Sequence, residues 1–152
     1  MLVSASPSIL KKAIIDGHEE ESKIQPQDSA HWAKELIIFK SADINRSMLS
    51  DSYIISESSN SRIKTITYTS KYPDDTEVDA LSVELDNDQK PMKIRAILDN
   101  QNELFKSAKT LEVKFKDVNG QKLISSYSIE GWQKMISKDS AAYLIEADLV
   151  YP

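Results

Sequence analysis

The chain has 152 residues, 28% of them charged, a formal charge of −5 and no cysteine. That length suits a single domain, residues 1–152, with enough core to fold without metal or disulfides. The acidic balance gives no sign of a broad basic face, so no nucleic-acid partner is expected; the missing cysteine excludes disulfides, thiolate catalysis and Cys-based zinc sites.

At the start, Met1-Leu2-Val3-Ser4-Ala5-Ser6-Pro7 lacks the positive segment and sustained apolar run of a signal peptide. No apolar run anywhere reaches the length of a transmembrane segment. Residues 9–15 and 19–24 flank Asp16-Gly17, a pair suited to a tight primed turn, and read as a hairpin. Pro26 then breaks the pattern, and Asp28 or Ser29 can cap the next element. Residues 28–41 read as one amphipathic helix. Trp32, Leu36 and Phe39 fall on one face, Ile37 and Ile38 widen it, and Lys34, Glu35 and Lys40 supply the wet side.

Strands come next. Residues 53–57 and 62–70 flank the polar loop Ser58-Ser59-Asn60-Ser61. Lys71-Tyr72-Pro73-Asp74-Asp75 is a turn, and residues 78–85 and 92–99 flank Asp86-Asn87-Asp88-Gln89. Residues 111–115 and 123–129 join through Asn119-Gly120, a second hairpin signal, and residues 142–149 close the chain. Leu81, Val83 and Leu85, then Leu111, Val113 and Phe115, then Tyr143, Ile145, Ala147 and Leu149 alternate with mostly polar neighbours. Such strands bury one face. The expected class is α+β: a twisted antiparallel meander of seven to nine strands, with an N-terminal hairpin and one helix packed on it, curling toward an open barrel.

Several stretches carry a resemblance. His31-Trp32-Ala33-Lys34-Glu35-Leu36 through Ala42-Asp43-Ile44-Asn45 is one. Asp51-Ser52-Tyr53, Lys64-Thr65-Ile66-Thr67-Tyr68 and Tyr127-Ser128-Ile129-Glu130-Gly131-Trp132-Gln133-Lys134-Met135 are others. Together they resemble uncharacterised lipoproteins of the bacteroidete cell envelope, over most of the chain. The resemblance implies a periplasmic or outer-membrane-associated protein and transfers no catalytic residue. The chain departs from that pattern at its start, where the anchoring Cys and signal should stand, so a lipid anchor would belong to an untrimmed precursor.

The candidates for chemistry are few. His18 and Glu20 share a strand face, a weak metal pair beside a polar turn, and His31 can pair with Glu35 one helical turn on. Neither histidine is expected to be catalytic or to bind a structural metal. Asp74, Asp75 and Glu77, in a run that continues to Asp79, are the calcium candidates, though their spacing matches no calcium loop. Asp86 and Asp88 fail as well, because Lys90 and Pro91 stand where an acceptor and glycine belong. Asn45-Arg46-Ser47 is a glycosylation sequon by pattern, taken as coincidence. With three glycines there is no phosphate-cradling loop. No cofactor is expected.

Trp32, Phe39, Tyr72 and Trp132 are the candidate ligand-binding aromatics, with Trp132 more simply read as covering one end of the core. The expected function is a non-enzymatic binding or structural module of the cell envelope, with an unknown ligand or protein partner. The alternatives are a carrier of an apolar or lipid-like ligand held between sheet and helix, and a carboxylate-based hydrolase.

Overall fold

The structure is a computed structural model that describes residues 7–44 and 50–152. The opening residues 1–6 and the sequon at Asn45 lie outside that description. Nine strands form one antiparallel sheet. They are β1 (Ser8–Ile15), β2 (His18–Ile24), β3 (Tyr53–Asn60), β4 (Ile63–Ser70), β5 (Val78–Leu85), β6 (Pro91–Gln101), β7 (Phe105–Val118), β8 (Gln121–Met135) and β9 (Ala141–Val150). Their order across the sheet is β2-β1-β9-β8-β7-β6-β5-β4-β3. From β3 to β9 each strand lies beside its sequence neighbour, and the N-terminal hairpin then adds to β9, with Ile9 opposite Leu149.

The expected α+β class is corrected: 11% of the chain is helical, and the protein is mostly β. In place of one helix over residues 28–41, α1 (Ser29–Glu35) is followed by a 3-10 segment, Ile37–Ala42. The start was legible, since the Asp28 carboxylate accepts from the His31 N–H at 2.8 Å. The end is set by the side chains. Ile37, Ile38 and Phe39 lose rotamer freedom in an α-helix, and at Leu36 the chain tightens so that the Phe39 N–H bonds the Leu36 carbonyl. Ile37, expected to widen the apolar face, is 59% exposed. The sheet also stays open. Strands β2 and β3 are its two edges, so the expected curl does not become a barrel.

Turn chemistry fixes the hairpins. Asp16 and Gly17, and again Asn119 and Gly120, all have positive φ, which matches the twist of the strands they join. Alternation then places the apolar residues on one face. Tyr53, Val78, Ala96, Leu98, Leu111 and Ile129 form one buried cluster, with Ile44, Ile38, Phe39 and Ala42 laid over it. Ile9, Tyr127, Ala147 and Leu149 form a second, covered by Trp32, Leu36 and again Phe39. The Phe39 ring meets Tyr127 edge-on, with centroids 5.6 Å apart.

Glu35 is not on the wet side and does not pair with His31. It faces the sheet, where Lys11 donates to its carboxylate at 2.6 Å and the Tyr127 hydroxyl does so at 3.4 Å. Burial, and then the charge of Glu35, pushes the Tyr127 phenol far above its ordinary range. Lys11 is the inward-facing polar residue of β1, and this contact ties α1 to both β1 and β8.

Candidate functional site

The acidic turn lies at the end of the sheet where β4 hands over to β5. Its loop winds around one carbonyl: the N–H groups of Asp75 and Thr76 both donate to the Tyr72 oxygen, at 2.9 and 3.1 Å. Thr76 is buried and shares a 2.6 Å hydrogen bond with the Ser70 hydroxyl. Tyr53 donates to the Val78 carbonyl at 2.7 Å and anchors the first residue of β5. The loop is therefore held from below.

One residue further, the β5–β6 ladder slips. Val78 stands opposite Leu98, but Ala80 stands opposite Ile97. Asp79 is the extra residue of a β-bulge, a device that re-aims a side chain. Across the ladder, the Asp99 N–H donates to the Glu77 carbonyl at 2.9 Å. The result is a cleft of about 450 Å³, lined by Asp74, Asp75, Glu77, Asp79 and Asp99 together with polar neighbours such as Asn100. Among the described residues no basic and no aromatic side chain lines it.

That lining sets the electrostatics. One oxygen of Asp79, Oδ1, is sealed from solvent and has no hydrogen-bond partner among the described residues. Desolvation first, then the charges of Asp99 and Asp74, raises the Asp79 carboxyl above its ordinary range. The unfolded chain loses this proton near the ordinary value of 3.8, while the native chain holds it to higher pH. Between those two values the native state binds more protons, so stability falls as pH rises, and the loss persists above the native value. Asp79→Asn is therefore expected to raise Tm at neutral pH and to give no gain in acid below the ordinary aspartate range. Melting curves of both proteins across that range check this; a variant that is less stable at neutral pH would contradict it.

The calcium candidates Asp74, Asp75 and Glu77 all line this cleft. Among the described residues no group of three or more His, Cys, Asp or Glu side chains is placed to hold an ion. The other acidic turn is self-contained. The Asp86 carboxylate accepts from the N–H groups of Asp88 and Lys90 and pairs with Lys122 at 3.3 Å. Those N–H donors and that cation hold its carboxyl below the ordinary range.

The four candidate aromatics separate. Trp32 and Phe39 are core side chains over the second cluster. Tyr72 is exposed on the acidic loop. Trp132 is partly exposed, between Ala108 and Ala142 in the sheet and on the face opposite Tyr127 and Ile129, so it does not cap the core. Asp99 is not singled out by the sequence pattern. Following the β5–β6 ladder back from the Asp86–Lys90 turn places it opposite Glu77, and only the bulge at Asp79 brings the two aspartates to the same cleft.

Among the described residues no helix is long and apolar enough to cross a membrane. No protein-family model matches the chain, and no curated protein and no solved structure matches it.

Proposed function

We propose that the protein is a non-enzymatic binding module of the bacterial cell envelope, and that its acidic cleft takes a cationic side chain, lysine or arginine, of a protein partner. The compartment rests on the lipoprotein-like stretches. The binding mode rests on one observation: the sealed, unpartnered Oδ1 of Asp79 in a cleft without a basic residue among the described ones. A buried acceptor left unpaired costs about 1–3 kcal/mol, and a docked cation removes that penalty. Keeping a costly group on a firmly held bulge is how binding sites, rather than cores, are built.

The alternatives are less well supported. A carrier of an apolar ligand needs space between sheet and helix, which Trp32, Leu36 and Phe39 fill where they meet the second cluster. A carboxylate-based hydrolase finds an Asp79 carboxyl raised above its ordinary range near Asp99, but no aromatic ring among the described lining residues to stack a sugar.

Calorimetric titration with an oligo-arginine peptide tests the proposal. The wild type should bind, and Asp79→Asn with Asp99→Asn should weaken binding about ten-fold or more, the scale of one lost charge-assisted hydrogen bond. The control, Glu146→Gln with Asp148→Asn, removes the same charge from β9, away from the cleft lining. If the control weakens binding equally, the attraction is only net charge and the cleft is not the site.

A further inference from the structure

At the same end of the sheet, two neighbouring turns expose what turns usually hide. Leu104, between β6 and β7, is 66% exposed, and Ile136, after β8, is 72% exposed. Loop tips ordinarily carry polar residues and glycine. The two turns are fastened together, the Ile136 N–H donating to the Leu104 carbonyl at 3.1 Å. The Asn102 side chain braces the first by accepting from the N–H groups of Leu104 and Phe105, both at 2.8 Å. Met135 is also exposed, and a notch of about 250 Å³ separates the turns. The apolar tip is therefore presented on a braced backbone.

The charges around it are set for an anion. Lys106 and Lys134 stand directly opposite one another across β7 and β8. Like charges in that position repel and destabilise the pair. Lys106, Lys134 and Lys138 form no ion pair among the described residues, as is true of other lysines such as Lys23 and Lys109. Lys134 reaches the Lys138 carbonyl at 3.3 Å, which draws its ammonium toward the tip. Glu103 and Asp139 lie in the same turns, and the acidic cleft lies at the same end of the sheet, so the positive charge is confined to the three lysines.

We infer that this tip docks on a phospholipid bilayer, with Leu104 and Ile136 entering the acyl boundary and Lys106, Lys134 and Lys138 on lipid phosphates. The inference stands apart from the acidic cleft and uses none of its residues. Apolar side chains on two turn tips make a patch well short of the roughly 800 Å² per partner that a stable protein interface takes. Interfacial docking needs only a few inserted side chains and basic neighbours, because each acts independently on the membrane surface.

Vesicle co-sedimentation of the full chain tests it. The protein should sediment with vesicles of equal parts phosphatidylcholine and phosphatidylglycerol, less with phosphatidylcholine alone, and less in high salt. Leu104→Asp with Ile136→Asp should weaken binding to the mixed vesicles by about ten-fold or more. Lys106→Gln with Lys134→Gln should abolish the preference for the mixed vesicles. These positions lie at the surface, and Tm should confirm that each variant is folded. Failure of the wild type to sediment with either vesicle overturns the inference. So does an undiminished aspartate variant, which would mean adsorption by charge alone. A wild type that self-associates in solution through this tip, and loses that on the aspartate changes without binding vesicles, would assign the surface to protein contact instead.

Discussion

Removing β9, by ending the chain at Ser140, is expected to abolish cooperative folding. The strand is not a trailing edge: β1 pairs along one side of it and β8 along the other. It brings Ala147 and Leu149 into the second cluster and Tyr143 and Ile145 against the first. Each large apolar side chain buried is worth about 1.5–3 kcal/mol, so their loss alone approaches the roughly 5–15 kcal/mol that holds a typical domain folded. The β1–β2 hairpin would lose its only other neighbour and become an isolated two-stranded unit, marginal in water. Circular dichroism melts and solubility of the shortened chain check this; a soluble product with a sharp transition would show the sheet to be stable without its ninth strand.

Gly131→Ala is expected to cost about 3 kcal/mol, the upper part of the range for overfilling a packed site, lowering Tm by roughly 10 °C. Gly131 sits mid-strand in β8, where glycine is normally unfavourable. The reason is close approach. A Cβ placed there would lie 2.5 Å from the Ala108 carbonyl oxygen and 2.8 Å from the Lys109 Cβ. The nearest atom belongs to the β7 backbone, which cannot swing aside as a flexible side chain does. Tyr143 stands beside Gly131 on β9. Thermal denaturation measures the effect, and a variant melting within a degree of wild type would mean that β7 and β8 separate there at little cost.

These features differ in how plainly the sequence announces them. Half-buried strands are legible because one buried face imposes a beat of two: residues 78–85 are delimited by Val83, Leu81 and their polar neighbours alone, and the hairpins by Asp16-Gly17 and Asn119-Gly120. The extensions are not legible. Ser58, Ser59 and Asn60 belong to β3 but are exposed on an edge strand, where no burial marks them. Gln133, Lys134 and Met135 extend β8 and are likewise exposed. The helix is overread because Trp32, Leu36 and Phe39 suit both an α-helical face and an α-turn followed by a 3-10 segment, where Leu36, Phe39 and Ala42 align. Glu35 reads as solvated because a carboxylate usually is. Only the fold brings Lys11 and Tyr127, which is 92 positions away, to meet it.

The candidate site divides in the same way. Asp74, Asp75 and Glu77 are visible as a run of charge, while the bulge that turns Asp79 inward leaves no mark in the pattern. Tertiary register, not local composition, supplies Asp99.

The sheet order has a consequence for folding. The first strands of the chain pair with the last, and the Asp16 carboxylate accepts from the Ala142 N–H across 126 positions of sequence. Every hairpin from β3 to β8 can zip from contacts local in sequence, but β1 must wait until β9 has emerged, whether at the ribosome or after export. Until then Ile9 and Ile14 of a two-stranded ribbon have no sheet to join. Glu19, Glu20 and Glu21 on β2 then act as gatekeepers against association with other unfolded chains, so the charge that forms an outer edge of the finished protein matters most before the protein is finished.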